Sequence, residues 1–139
     1  MLATRTEATA ERVEKPWGHE LHWARTEYYC GKVLFIRAGC RLSLQYHDEK
    51  VESQMLLHGQ ALLELEDPDG SLTAIEMEQG LGYTIRPFQR HRLVAVEDSS
   101  ILEVSTPECG TTVRIEDDYG RGDETERSRS AERLPRPVA

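Results

Sequence analysis

GCRLSLQYHDEKVESQMLLHG, running from Gly39 to Gly59, carries the pattern on which the rest of the chain depends. Leu42, Leu44 and Tyr46 alternate with Ser43, Gln45 and His47. Successive side chains of a strand point to opposite faces, so Gln45 and His47 share one face. A short polar connection, Asp48 to Lys50, leads into residues 51–58, and if the two segments form a hairpin Glu52 returns beside His47. An amide oxygen, an imidazole nitrogen and a carboxylate make a mixed donor set suited to a divalent metal. His91 offers a fourth ligand further along the chain.

Similar punctuation continues on both sides of this stretch. Upstream, Val33, Phe35 and Arg37 oppose Lys32, Leu34 and Ile36, and one of those faces must line an interior. Before that, Pro16 and Gly18 bracket Trp17, and residues 19–24 read as a first edge strand. Downstream, residues 60–66 and 72–77 flank Asp67-Pro68-Asp69-Gly70, which is turn chemistry for a hairpin. Residues 83–86, 91–97 and 101–106 complete the strands, separated by Gly80, Gly82 and the Asp98-Ser99-Ser100 turn. Short strands broken about every 8–12 residues, with no long amphipathic helix, predict an all-β sandwich or barrel.

Composition removes several classes of function. With 139 residues the chain fits one domain. Its formal charge of −8, from 25 acidic and 17 basic residues, lacks the basic face that a nucleic-acid binder needs. Cys30, Cys40 and Cys109 are odd in number and show no C-x-x-C spacing, which argues for reduced thiols in a cytoplasmic protein rather than a disulfide framework. No apolar run approaches the length of a membrane span or a signal peptide. Residues 1–14 read as a flexible N-terminal arm and residues 122–139 as a disordered charged tail, which leaves residues 15–121 as the folded domain.

The spacing of Gly39, Gln45, His47, Glu52 and Gly59 resembles the first cupin motif, with Gln in place of its first His. Gly80, Gly82, Pro87 and His91 resemble the second. A closer resemblance is to the cupin domain of type II mannose-6-phosphate isomerases. It rests on SLQYH and KVE in the first motif, Lys15-Pro16-Trp17-Gly18, His91-Arg92, and VRIEDDYGR from Val113 to Arg121. It implies a single-domain cupin jelly-roll β-barrel, a homodimer, and one divalent ion on Gln45, His47, Glu52 and His91. Zinc is the first expectation for that ion, with iron, manganese, cobalt and nickel behind it. The chain departs from the family pattern at Lys50, where the family has Arg, and at Ser53-Gln54, Ala95 and Thr111.

A site with one anionic ligand leaves a divalent ion near a net charge of +1 and favours anionic oxygen ligands. Such an ion can stabilise an enediolate, and the resemblance to the isomerase family, with its Gln ligand, implies a sugar or sugar-phosphate isomerase or epimerase as the leading reading. This chemistry also needs a proton-transfer group, and the candidates are Lys50, Glu103 and Lys32. A Lys buried near the ion would have a lowered pKa. Arg92 and Arg114 are candidates to hold a phosphate, since guanidinium forks match phosphate oxygens. Two other readings stand beside this one: an iron-dependent dioxygenase or lyase on the same scaffold, and a cupin that binds a small ligand without turnover.

Overall fold

The computed structural model describes residues 8–132. Among the described residues, eleven strands form two antiparallel sheets. They are β1 (Glu11–Lys15), β2 (Gly18–Arg25), β3 (Cys30–Ile36), β4 (Leu44–His47), β5 (Glu52–His58), β6 (Ala61–Glu66), β7 (Leu72–Glu76), β8 (Gly82–Ile85), β9 (His91–Ala95), β10 (Ser99–Ser105) and β11 (Thr112–Glu116). One sheet has the order β1-β2-β3-β10-β5-β8 and the other β11-β4-β9-β6-β7. The two face each other as a jelly roll, in which each strand turns one side inward.

Alternation sets what lies inside. On β3, Lys32, Leu34 and Ile36 are buried while Val33 and Phe35 are half-buried, so the interior face is the one that contains the lysine. Cross-strand register then stacks the interior in layers. Leu34, Ile101 and Leu56 sit level on β3, β10 and β5, and pack with Trp17, Leu63 and Leu93 into the apolar floor. One step toward the open end, His22, Lys32, Glu103 and Gln54 form a polar row across β2, β3, β10 and β5. All four are at most 5% exposed. The floor supplies the hydrophobic stabilisation; the row above it costs desolvation and must be paired.

The expected hairpin at residues 67–70 is present, with Glu66 opposite Leu72 and the Gly70 amide donating to Asp67 O at 2.8 Å. The expected hairpin between β4 and β5 is not. β4 pairs with β9 and β11, whereas β5 pairs with β10 and β8, so the connection from Asp48 to Val51 crosses between sheets. Alternation within a strand says which residues share a face, but it does not say which strand lies alongside. Gly59 follows β5 at φ +97, and a Cβ there would lie 2.3 Å from Asp98 O, so this motif glycine answers a close backbone approach.

The chain ends also differ from expectation. Residues 11–14 of the expected arm belong to β1, which takes the sheet edge from β2 because Val13 turns inward between exposed Arg12 and Glu14. Residues 1–7 lie outside the described residues. Part of the expected tail folds back: Glu124 exchanges backbone hydrogen bonds with Thr112 at 2.8 and 2.9 Å, and α1 (Glu126–Glu132) follows. Arg129, 5% exposed, donates to Glu124 Oε1 at 2.9 Å and Gly110 O at 2.8 Å. A charged segment packs here because its partners are other charges and carbonyls, which composition alone does not reveal. Residues 133–139 lie outside the described residues. No helix among those described is long and apolar enough to cross a membrane.

Candidate metal centre and acid–base cluster

His47 ends β4, Glu52 begins β5 and His91 begins β9, which brings all three to the same open end of the barrel. Their ligand atoms lie within 4.8 Å of one another, and all three side chains are buried. Nε2 of His47 is 3.2 Å and Nε2 of His91 is 3.0 Å from Glu52 Oε1. The outer nitrogens have partners of their own. His47 Nδ1 meets Thr112 Oγ1 at 2.7 Å, and His91 Nδ1 lies 3.0 Å from the carbonyl of Gln89. A carbonyl can only accept, so His91 Nδ1 carries a proton, and in the neutral ring the Nε2 lone pair then turns inward.

In that neutral form the buried Nε2 faces a carboxylate oxygen and has no hydrogen bond. Two electron-rich atoms at 3.0 Å with nothing between them are costly, and a cation between them removes the cost. Imidazoles fixed through Nδ1 while Nε2 atoms converge are also the arrangement that metal-ligating histidines adopt. The residues therefore fit a divalent ion. Gln45 enters the same cavity opposite His91 in register, and its Oε1 accepts from Ser43 Oγ at 2.7 Å. Burial lowers the His47 pKa against the pull of Glu52, which favours the neutral ring.

Beside these groups lies a chain of buried charges. Lys50 is 8% exposed, not directed to solvent, and its Nζ is 3.1 Å from Glu52 Oε2 and 3.8 Å from Glu103 Oε2. Burial opposes its charge, but Glu52 and Glu103 outweigh burial and hold its pKa above the usual lysine range. The charges of these two carboxylates thus set the direction here, where a lowering was expected of a lysine beside an ion. Glu103 is pushed up to about 7, first by burial and then by the Glu52 charge, against Lys50 and Lys32. Gln54 Nε2 donates to Glu103 Oε1 at 3.0 Å. Lys32 is also inside, with its ammonium on Glu108 and 3.6 Å from Glu20 Oε1. Burial costs Glu20, yet Lys32 and His22 hold its pKa well below the carboxylate range.

The two arginines are engaged with protein groups. Arg92, 2% exposed, donates to Leu42 O at 2.9 Å, Glu116 O at 3.1 Å and the Glu116 carboxylate at 3.3 Å. Arg114 donates to Gly122 O at 2.6 Å and to Glu124 Oε2 at 3.1 Å at the cavity wall. The cavity has a volume of about 60 Å³, several times the ~15 Å³ that one water needs. Sequence reading missed Thr112, Gln54, Glu20, His22 and Glu108. Glu20 and His22 do share one face of β2, but alternating polar residues on a first strand ordinarily mark its solvated side.

No family model and no curated protein matches the sequence. Solved structures do. KdgF from Halomonas sp. is 19% identical over 72% of this chain and 88% of that one, with a TM-score of 0.61. The Lactobacillus farciminis oxalate decarboxylase formate complex is 14% identical over 76% of this chain, TM-score 0.65. The fold is that of the cupins. A third cupin-fold neighbour, the capsular polysaccharide assembling protein CapF from Staphylococcus aureus, is 10% identical over 86% of this chain, TM-score 0.60. The chain spans 34% of the decarboxylase and 32% of CapF, so it corresponds to about one third of each larger chain. Within the cupin fold, the two histidines, the carboxylate and the Lys50–Glu103 pair all lie at the open end of the barrel.

Proposed function

We propose that this cupin is a metal-dependent isomerase or epimerase of a sugar or sugar phosphate, with Glu103 as the group that moves the proton. The observation that carries this reading is the placement of Lys50 and Glu103 in one buried chain with Glu52, next to the two convergent imidazoles. The motifs shared with the cupin domain of type II mannose-6-phosphate isomerases support it. His47, Glu52 and His91 would hold the ion with Gln45 as fourth ligand, and their nitrogen and oxygen donors suit zinc. A bound divalent ion supplies Lewis-acid stabilisation of charge on neighbouring substrate oxygens. In an isomerase, Glu103 takes the proton from the hydroxyl-bearing carbon beside the substrate carbonyl and returns it to the former carbonyl carbon, while the hydroxyl proton passes to the former carbonyl oxygen, so atoms and charge balance. In an epimerase the carbon-bound proton returns to the same carbon on its other face. Lys50 remains an ammonium that balances the two carboxylates and orients an anionic oxygen. Lys32, already held by Glu108 and Glu20, serves the charge balance rather than the proton transfer. For a phosphate, Arg92 and Arg114 both line the cavity wall, and Arg114 lies opposite Gln45 in register.

A second reading, lyase chemistry on a small carboxylic acid, is favoured by the cavity volume of about 60 Å³, well below the ~300 Å³ or more typical of sites that enclose larger ligands. Incubation of the zinc-loaded protein with aldose and ketose phosphates in D2O, followed by proton NMR, separates the two. Isomerase or epimerase action should wash deuterium into a carbon-bound position at least about 10²-fold faster than in protein lacking the Glu103 carboxyl. Cleavage of a carboxylic acid, with no exchange on any sugar, would replace the first reading with the second. We further propose a cytoplasmic homodimer, on the three free cysteines and on Trp23, Leu57 and Val104, which are 43%, 37% and 45% exposed on strands of the six-stranded sheet. Light scattering should then give twice the 15.9 kDa chain mass, and a monomer mass at micromolar concentration would dismiss the dimer.

A further inference from the structure

The two histidines of the centre are held in different ways. His91 Nδ1 faces a backbone carbonyl, which fixes its tautomer whatever the neighbouring side chains are. His47 Nδ1 faces the hydroxyl of Thr112 at 2.7 Å, a contact between residues 65 positions apart. A hydroxyl both donates and accepts, so it does not fix the tautomer by itself. With Thr112 donating, His47 would carry its proton on Nε2 and give it to Glu52 Oε1, 3.2 Å away, closing the site without an ion. With Thr112 accepting, Nδ1 carries the proton and the Nε2 lone pair is free for an ion.

Thr112 is also placed with unusual care for a residue near a chain end. It is 6% exposed, opposite His47 in the β4–β11 register. Its backbone N–H and C=O both pair with Glu124. The Glu124 carboxylate is in turn gripped by Arg114 at 3.1 Å and Arg129 at 2.9 Å. The segment that folds back against β11 is thus bonded to the same residue whose hydroxyl meets the imidazole.

We propose that Thr112 is a positioning residue for the metal centre: its hydroxyl accepts a hydrogen bond from His47 Nδ1–H, which keeps the proton on Nδ1 and presents the Nε2 lone pair to the ion. The proposal rests on His47, Glu52 and His91 being the ligands, and it extends that reading to a residue outside the ligand set. Outer partners of metal-bound imidazoles contribute about 10- to 100-fold in affinity. Thr112→Val keeps the shape and removes the hydroxyl, whereas Thr112→Ser keeps the hydroxyl and removes a methyl. Zinc affinity is measured by competition with a chromogenic chelator, alongside the melting temperature of each chelator-treated protein. Thr112→Val should bind zinc about 10- to 100-fold more weakly than wild type, and Thr112→Ser should stay within about 3-fold of it. Ring 15N shifts of His47 in the zinc-loaded proteins should report Nδ1–H in wild type and in Thr112→Ser. Wild-type affinity in Thr112→Val overturns the proposal while leaving the ligand assignment standing. Equal weakening in both variants also overturns it, since packing and not the hydroxyl would then be responsible. A wild type that holds no zinc removes the ligand assignment and the proposal together.

Discussion

Glu103→Gln should lower turnover by about 10²- to 10⁴-fold, the range for losing a positioned acid or base, while the protein keeps its zinc. The substitution preserves volume on β10 and lies outside the group of three convergent ligand residues. It removes the carboxyl that Gln54 and Lys50 hold in place, and an amide cannot take a proton from carbon. The measurement is kcat on the substrate identified by deuterium exchange, with zinc content read on the same sample. A kcat within 2- or 3-fold of wild type would send the search for the base back to Lys50 and Lys32, whose ammonium groups lie in the same cavity.

Glu52→Gln should have the second large effect, on the ion itself. Glu52 supplies the one carboxylate oxygen that both Nε2 atoms approach, and it is 2% exposed. Replacing an anionic ligand by a neutral amide should weaken zinc binding by more than about 10²-fold, beyond what outer partners of a ligand contribute. Activity should fall with occupancy and return in part at high zinc concentration. Glu103→Gln should show no such rescue, so the two variants separate ion binding from proton transfer. Zinc retained at wild-type affinity after Glu52→Gln would take Glu52 out of the ligand set.

Much of this arrangement follows from local alternation. Parity along β4 put Gln45 and His47 on one face, and the same rule on β3 put Lys32 with Leu34 and Ile36, all of which turn inward. The DPDG turn joined β6 to β7 as its residue types require. The resemblance to cupins pointed to His47, Glu52 and His91, which the fold does bring together. What alternation could not supply is pairing at a distance. Glu52 meets His47 from the opposite sheet and not from an adjacent strand, because four residues suffice for a crossing as well as for a turn. Burial of Lys50 and Glu103 depends on their meeting each other, and Glu103 is held by a glutamine 49 positions away. A charged residue is assigned to solvent until its partner is known, and that partner lay outside any window of sequence pattern. Arg129 and Glu124 were read as tail for the same reason.

The crossing between β4 and β5 has one more consequence. His47 and His91 belong to the five-stranded sheet and Glu52 to the six-stranded one, so an ion shared by them joins the two halves of the sandwich. Occupancy of the centre and closure of the barrel mouth are then a single equilibrium: whatever pries the sheets apart there loosens the ion, and the ion resists the prying. In a chain whose three cysteines are all free, such a joint would do at the rim what a disulfide does in secreted β-sandwiches, but reversibly and in proportion to how much metal the surroundings provide.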